Sequence, residues 1–340
     1  MTTVGELTSR RKDEHLTLVR EQNVDSEIDA GWDAIDLPHR ALPELDFAQI
    51  DSSVEFLGRR FPTPFLISSM TGGSPEGERI NERLARFAER RQIPMGVGSQ
   101  RVALENRSSG FFSLRKVAPR ATLYANLGLV QFNYGVTIDD CRWLVDHLEA
   151  QALILHCNPL QEAIQKEGDR DFSNLLSRIG DLKRALPVPV ILKETGSGLD
   201  VLTCDRAIEA GIDALDLAGL GGTHWGFIEG LREQSRRELG TMFRNWGIPT
   251  ARALADAHRV VKGRVPLIAS GGVRHGLDAA RAVSLGANLV GMAAPFLRQL
   301  TSVNEDSLDE FLDLQHEAFR IALFCTGSRD VESLRRSSHG

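Results

Sequence analysis

From residue 64 onward, a short apolar run that ends in glycine or a polar residue recurs eight times. The runs occupy residues 64–70, 93–99, 122–128, 152–158, 189–195, 214–220, 266–272 and 288–294. Their length is typical of buried strands, and longer stretches with helical periodicity lie between them. Because strands that alternate with helices form parallel βαβ units, eight such units predict an α/β fold, the (β/α)8 TIM barrel.

The spacing of the runs also predicts how the rest of the chain is organised. Helical periodicity is clearest at residues 139–151, 172–186, 199–211, 249–261 and 277–287. The longer segment 221–248 is expected to carry an inserted loop or lid. A chain of 340 residues could form two domains, but no stretch reads as an interdomain linker. We therefore predict a single barrel domain over 1–340, with an N-terminal extension (1–60), the barrel (61–300) and a C-terminal helix and tail (301–340).

Composition excludes several classes of function. The chain has 40 lysine and arginine residues against 46 aspartate and glutamate residues, a formal charge of -6, so no basic footprint for nucleic acid is present. Its four cysteines are scattered without metal-binding spacing, which predicts reduced thiols. No window has the apolar length of a signal peptide or a membrane span, so we expect a cytoplasmic protein without a membrane partner.

In a TIM barrel, the carboxyl ends of the strands converge on the active site, and here those ends are mostly polar. The segment "ASGGVRHG" (269–276) follows the seventh strand, where barrels often bind phosphate through glycine backbone amides and a cation. The alternative is that Gly271 and Gly272 only make a tight turn. Lys193 emerges from an apolar run, and it either faces a polar cofactor or pairs with Glu194 or another acid. A planar cofactor with a phosphate tail, such as flavin mononucleotide (FMN), fits this set of strand ends.

Several longer motifs then make the chain resemble one family, the type 2 isopentenyl-diphosphate Δ-isomerases. The motifs are "RRKDEH" (10–15), "SSMTGG" (68–73), "GVGSQR" (96–101), "HCNPLQEAIQKEGDRDF" (156–172), "AGLGGTHW" (218–225) and "SGGVRHGLDAARAVSLGA" (270–287). The glycine-rich "SGGxR" pattern alone is weak, since many FMN barrels share it. The joint occurrence of RKxxH, SQR, NxxQE and EGDRDF over nearly the whole chain is specific.

The resemblance implies a role for each matching position. For FMN it implies Ser69, Met70, Thr71, Ser99, Asn126, Lys193, Thr223, Gly272, Arg274, Ala293 and Ala294. For the diphosphate substrate it implies Arg11, Lys12, Ser99, Gln100, Arg101, His156, Asn158 and Gln161. Glu162 would be the ligand of Mg2+, which needs few protein carboxylates when a diphosphate supplies oxygen atoms. Arg11 and Lys12 precede the barrel, so we expect the N-terminal segment to become ordered over bound substrate.

The implied reaction is an allylic 1,3-proton shift that converts isopentenyl diphosphate to dimethylallyl diphosphate in isoprenoid biosynthesis. Reduced FMN would be the acid/base centre, NADPH the reductant of the flavin, and a homo-tetramer or homo-octamer the assembly. Among side chains, Gln161 is the candidate to assist or orient proton transfer, because a neutral amide is not itself a strong base. His156 has a pKa suited to proton transfer. It could instead bind the diphosphate, or be only a satisfied histidine under the loop.

Three positions depart from the expected family pattern, and other functions stay open. His224 and His275 stand where smaller polar residues are expected, and Cys157 stands where an aliphatic residue is expected. An FMN-dependent oxidoreductase of the 2-hydroxyacid oxidase type would need a histidine base, which His224 could offer. A dehydrogenase with a nucleophilic cysteine would need a thiol in a glycine-rich loop, which is absent. A barrel that binds flavin without catalysis is the remaining alternative. The EGDRDF run has no assigned physical role, and loop-capping ion pairs are one possibility.

Overall fold

The computed structural model describes residues 4–106, 110–300 and 306–337. The strands are β1 (Val54–Phe56), β2 (Arg59–Phe61), β3 (Phe65–Ile67), β4 (Met95–Gly96), β5 (Leu123–Gly128), β6 (Ala152–Cys157), β7 (Val190–Glu194), β8 (Ala214–Asp216), β9 (Leu267–Ser270) and β10 (Leu289–Met292). The α-helices are α1 (Val4–Glu21), α2 (Pro75–Arg91), α3 (Arg101–Asn106), α4 (Leu114–Val117), α5 (Ile138–Leu148), α6 (Pro159–Ile164), α7 (Leu175–Ala185), α8 (Val201–Glu209), α9 (Trp225–Arg232), α10 (Arg237–Met242), α11 (Thr250–Val261), α12 (Gly276–Ser284), α13 (Ala294–Gln299), α14 (Ser307–Cys325) and α15 (Val331–Ser337). Short 3-10 helices occupy Trp32–Ala34, Phe47–Gln49, Gly110–Ser113, Leu129–Tyr134 and Gln234–Arg236.

Eight parallel strands close into a barrel in the order β10-β3-β4-β5-β6-β7-β8-β9. Each of the eight apolar runs contains one of these strands, so the predicted (β/α)8 barrel is confirmed. Most strand residues are buried, because the barrel interior covers one face and the outer helices cover the other. The barrel therefore brings the polar residues that end these runs to one mouth.

The five stretches with clear helical periodicity form α5, α7, α8, α11 and α12. Side-chain caps fix where several of them begin. Thr137 and Asp140 form a reciprocal capping box at α5, and Asp200 accepts the backbone N–H of Thr203 at α8. The helices therefore start where the local sequence satisfies their free N–H groups.

The segments before and within the barrel cover its two ends differently. Helix α1 packs against α9, where the ring of His15 meets Trp225 edge-on at a centroid distance of 5.2 Å. The segment 221–248, expected to hold an insertion, folds as α9, a 3-10 turn and α10. The antiparallel hairpin β1-β2 leads directly into the amino end of β3. Helix α1 therefore lies at the mouth and the hairpin at the opposite end.

The outer layer closes with α14, which packs on α12 and reaches the barrel wall. Phe319 of α14 meets Phe65 of β3 in a T-shaped contact with ring centroids 6.2 Å apart. In the described ranges, every helix is too short or too polar to cross a lipid bilayer.

Candidate functional site

A pocket of about 370 Å³ opens at the carboxyl ends of the barrel strands and below α1. Nearly all residues predicted for the site line it: Arg11, Lys12, Ser69, Met70, Thr71, Ser99, Arg101, Asn126, His156, Asn158, Gln161, Glu162, Lys193, Thr223, Gly272, Arg274, Ala293 and Ala294. They come from strand ends that are far apart in sequence, and from α1. Closure of the barrel is therefore what assembles the pocket.

Gln100 is the predicted residue that the structure keeps out of the lining. Its side chain is fully buried, and its Oε1 accepts the backbone N–H of Asn126 at 3.0 Å. Its Nε2 has no hydrogen-bond partner within the described part of the chain. In this arrangement Gln100 supports the end of β5 behind the pocket and does not reach its surface.

The floor of the pocket carries a buried ion pair on neighbouring strands. Nζ of Lys193 on β7 lies 3.1 Å from Oδ2 of Asp216 on β8, and the hydroxyl of Ser270 on β9 donates to the other Asp216 oxygen at 2.5 Å. The expected alternative partner, Glu194, instead accepts four successive backbone N–H groups of the following loop. Lys193 is therefore both paired and exposed to the pocket, and Asp216 is a residue that sequence reasoning missed.

Two serine hydroxyls of the pocket lining lack partners in the part of the chain that the structure describes. The buried Oγ atoms of Ser68 and Ser69 make no hydrogen bond within the described residues. Since buried polar atoms are nearly always paired, these two point to a polar ligand on the pocket floor. Together with Lys193, they fit the polar edge of a planar cofactor such as FMN.

The glycine turn after β9 is required by close packing. Gly271 and Gly272 have φ values of 98° and 64°, and a Cβ on Gly271 would lie 2.3 Å from the carbonyl oxygen of Gly219. Gly271 and Gly272 therefore do make a tight turn. The turn leaves backbone amides open for a phosphate. Arg274 lies 3.2 to 3.6 Å from three carboxylates, and the hydrogen bond to Asp278 raises its pKa. A phosphate at this turn would meet a guanidinium whose charge is already largely balanced.

At the end of β6, His156 is held in one orientation. Its Nδ1 lies 2.7 Å from Oδ1 of Asn126. Burial, together with the nearby cations Lys193 and Lys12, lowers the pKa of His156 to about 4. At neutral pH the imidazole is therefore uncharged, and a proton on Nδ1 leaves Nε2 as an acceptor. A neutral ring is better suited to accept a hydrogen bond or a proton than to bind a diphosphate by charge.

The motif NPLQE forms the turn from β6 into α6. The side-chain amide of Asn158 donates to Oε1 of Gln161 at 3.1 Å and to Oε1 of Glu162 at 2.9 Å. Burial raises the pKa of Glu162, although hydrogen bonds from Asp169 and Asn158 partly oppose this. Over the described residues, no group of three His, Cys, Asp or Glu side chains is placed to hold a metal. A single buried carboxylate at the pocket fits Mg2+ only if substrate and water supply the other oxygens.

The EGDRDF run closes a loop over Glu162. The backbone N–H of Asp169 donates to Oε2 of Glu162 at 2.8 Å, and the guanidinium of Arg170 donates to the carbonyl oxygens of Glu162 and Gln165. A Cβ at Gly168 would lie 1.9 Å from the Glu162 carbonyl oxygen, so only glycine fits there. The run therefore positions the carboxylate of Glu162 and caps the loop.

Asp169 also organises the predicted phosphate ligand Arg101. One oxygen of Asp169 accepts from Nη1 of Arg101 at 2.5 Å and from Nε2 of Gln131 at 2.9 Å. Arg101 further lies 3.4 Å from Glu105. These partners fix the guanidinium of Arg101, and both Arg101 and Glu162 line the pocket.

Helix α1 brings two cations over the mouth. Nζ of Lys12 donates to the carbonyl oxygen of Ser99 at 3.0 Å, and burial with the neighbouring charge of Arg11 lowers its pKa to about 7. Arg11 lies 2.8 Å from the side-chain oxygen of Gln165 when that amide is oriented to satisfy both neighbours. The RKxxH motif is thus part of the site and not only a solvated helix face.

A second missed residue, Glu229 of α9, joins α1 to the turn after β6. Its carboxylate accepts from Gln161 at 3.0 Å and from Arg232 at 2.5 Å, and it lies 2.9 Å from Nε2 of His15. Burial alone would raise the pKa of Glu229, but His15, Arg232 and Gln161 outweigh it and hold the value at about 2. The sequence signal that could have pointed to Glu229 is that it is the single acid in the apolar helix "WGFIEGLR".

The three departures from the family pattern have structural explanations. His224 and His275 are N-caps of α9 and α12, where their Nδ1 atoms accept backbone N–H groups at 3.1 and 3.2 Å. An imidazole therefore does there what a serine or aspartate does at other helices. Cys157 packs against the core, and burial raises its pKa to about 12. Neither His224 nor any of the four cysteines lines the pocket.

The chain is similar to known proteins over most of its length. A family model described as FMN-dependent dehydrogenase matches residues 130–339. A protein of Synechococcus sp. named isopentenyl-diphosphate delta-isomerase is 50% identical over 331 residues, which covers 96% of this chain and 94% of that one. A protein of the same name from Xanthobacter autotrophicus is 46% identical, with 96% of each chain covered.

Solved structures agree at the level of the fold. A mandelate oxidase variant has a TM-score of 0.66 at 16% identity, with 98% of each chain covered. A flavocytochrome b2 variant has a TM-score of 0.70 at 17% identity, covering 95% of this chain and 82% of that one. At such identity the likeness extends to the barrel alone.

The Lys193–Asp216 pair predicts a large stability effect. Asp216→Asn should lower the free energy of unfolding by about 3–5 kcal/mol, because it leaves a buried ammonium group without its carboxylate. The control Asp256→Asn removes the half-buried partner of two exposed arginines, Arg252 and Arg259, and should cost below about 1 kcal/mol. Urea unfolding measures both. Equal losses in the two variants would contradict a buried role for Asp216.

Lys12 predicts a pH dependence of anion binding. With a pKa of about 7, its ammonium form prevails in the free protein below that pH and is lost above it. Affinity for inorganic diphosphate should therefore fall as the pH rises through about 7, by up to about tenfold per unit. Calorimetric titration of Lys12→Met should give a shallower slope. Lys166→Met, which changes an exposed lysine, should keep the native slope, and a Lys12→Met profile that matches wild type would refute this role.

Proposed function

The chain belongs to the family of isopentenyl-diphosphate delta-isomerases, and on that premise we propose that it converts isopentenyl diphosphate to dimethylallyl diphosphate. In this allylic 1,3-proton shift, a proton is added at the terminal methylene carbon. Another is removed from the carbon next to the diphosphate-bearing one, and the double bond moves between them. Atoms balance without net oxidation, and the product serves isoprenoid biosynthesis.

One observation carries most of the support. Arg11 and Lys12 of α1 face Gln161 and Glu162 of the turn after β6 across a single pocket. Two cations and a buried carboxylate in one pocket would suit a diphosphate–Mg2+ site, since the cations would bind phosphate oxygens and the carboxylate would bind the metal. A barrel that only stored flavin would have no need of this arrangement.

FMN is the cofactor we propose for the floor of the pocket. Residues that would hold it are Ser69, Met70, Thr71, Ser99, Asn126, Lys193, Thr223, Gly272, Arg274, Ala293 and Ala294. When bound and reduced, FMN would supply the acid and base of the proton shift, and NADPH would serve only to reduce it. The unpartnered hydroxyl of Ser69 and the cation of Lys193 support a polar cofactor edge at this place.

The chain's own side chains would orient the substrate and control its surroundings. Glu229 accepts from Nε2 of Gln161, so the Gln161 amide is held in one orientation at the pocket. His156, neutral and bonded to Asn126, would accept a hydrogen bond through Nε2 near the reacting carbons or the diphosphate. We propose that α1 becomes further ordered on substrate binding, which would exclude water from this end of the pocket.

The site does not support the alternative function, that of a 2-hydroxyacid oxidase. His224, which it would use as the base, is buried at the N-cap of α9 and engaged with the N–H of Phe227. The rival with a cysteine nucleophile fails similarly, since none of the four cysteines lines the pocket. For the assembly we propose a homo-tetramer or homo-octamer, as the family resemblance implies.

An anaerobic assay tests the activity. Protein loaded with FMN and reduced by NADPH should convert isopentenyl diphosphate to the dimethylallyl isomer when Mg2+ is present, because both the acid/base centre and the metal are then supplied. Product analysis by mass spectrometry and proton NMR measures the conversion. Omission of the reductant or of Mg2+ should suppress it. Absence of product while the flavin is bound and reduced would overturn the proposed function.

Glu162→Gln tests the metal ligand. The amide keeps the size of the side chain but loses its charge, so activity at fixed Mg2+ should fall by roughly 10- to 100-fold and require more metal. The variant should remain yellow, since Glu162 is not placed among the flavin residues. Glu167→Gln, an exposed change in the same loop, is the matched control and should leave the Mg2+ dependence unchanged. Loss of flavin from Glu162→Gln would mean that its role is misassigned.

A further inference from the structure

A second cleft lies at the opposite end of the barrel from the pocket. Its volume is about 650 Å³, and its walls come from the segments that lead into the amino ends of β3, β4 and β5. Five arginines from three separate parts of the chain line it: Arg59, Arg60, Arg86, Arg90 and Arg120. In a chain with a formal charge of -6, such a local concentration of cations is unexpected.

Only part of this positive charge is neutralised by the protein. Arg60 pairs with Asp51, Arg90 with Asp309 and Arg120 with Glu89, the single acid of the cleft lining. Arg59 and Arg86 make no hydrogen bond or ion pair with any part of the chain that the structure describes. Two exposed guanidinium groups are therefore free to bind an anion between them and their paired neighbours.

The residues around the cleft fix its walls and keep its electrostatic potential positive. The floor is formed by the buried side chains of Phe61, Ala88, Ile93 and Ala121, which anchor the arginine-bearing segments to the barrel. Burial lowers the pKa of nearby Arg115, and the charge of Arg59 contributes to this. Like charges around a concavity repel one another, so an anion that binds several of them at once is favoured.

We propose that this cleft binds a small polyphosphate, an anion with two or more linked phosphate groups. Guanidinium groups bind phosphate oxygens in pairs, and a volume of this size accommodates a nucleotide-sized ligand. Nucleic acid is a poorer fit, because the surface is concave and Phe61, the one aromatic residue of its lining, is buried. The site is independent of the proposed isomerase activity.

Calorimetry with inorganic triphosphate on the FMN-loaded protein tests the site. Because the active pocket also binds phosphates, the reference protein is Arg11→Ala/Lys12→Ala, which should keep one binding event. Adding Arg59→Ala and Arg86→Ala should weaken that event by at least about tenfold, the effect of losing about 1.4 kcal/mol. Adding Arg142→Ala and Arg252→Ala instead, two exposed arginines of α5 and α11, removes the same charge and should change affinity little.

Three results would overturn the site. They are loss of triphosphate binding in the reference protein, equal weakening by both arginine pairs, and unchanged binding after loss of Arg59 and Arg86. Sedimentation of the same variants tests whether the cleft is instead a subunit interface. A change in oligomeric mass on loss of Arg59 and Arg86, with no triphosphate bound by the reference protein, would identify the cleft as a subunit interface. Retained isomerase activity in Arg59→Ala/Arg86→Ala would confirm that the cleft acts separately from the pocket.

Discussion

Closure of the parallel barrel is the constraint on which every other feature of the molecule depends. Each strand runs in the same direction, so all eight carboxyl ends meet at one mouth and all eight amino ends at the other. His156, Lys193 and Ser270 lie at or next to the last residue of three different strands and so reach the same pocket. At the other end, the same closure gathers arginines from three segments into the second cleft.

Buried charges at the mouth are tolerated because each is paired or hydrogen-bonded. Lys193 is balanced by Asp216 on the next strand, and Glu229 of α9 is balanced by Arg232 and by donors from α1 and α6. Isolated charges at such depth would cost several kcal/mol each. These pairs leave the pocket polar and ready to bind a charged ligand, while the barrel around it stays packed.

Helix α1 completes the site from outside the barrel. His15 connects it to Glu229 and Trp225, while Arg11 and Lys12 enter the pocket. The cations proposed to bind the diphosphate are thus carried on a helix outside the barrel, and most residues proposed to hold the flavin lie at the ends of the barrel strands.

The sequence by itself determined the barrel, because eight apolar runs at regular spacing leave few other ways to bury their strands. It also determined most pocket residues, since polar side chains at the carboxyl ends of the strands all lie at the same mouth of the barrel. It could not reveal Asp216 or Glu229, whose importance depends on partners in other elements, nor that Gln100 turns behind the pocket and His224 and His275 cap helices. Those outcomes depend on distances between segments remote in sequence, and only the tertiary structure decided them.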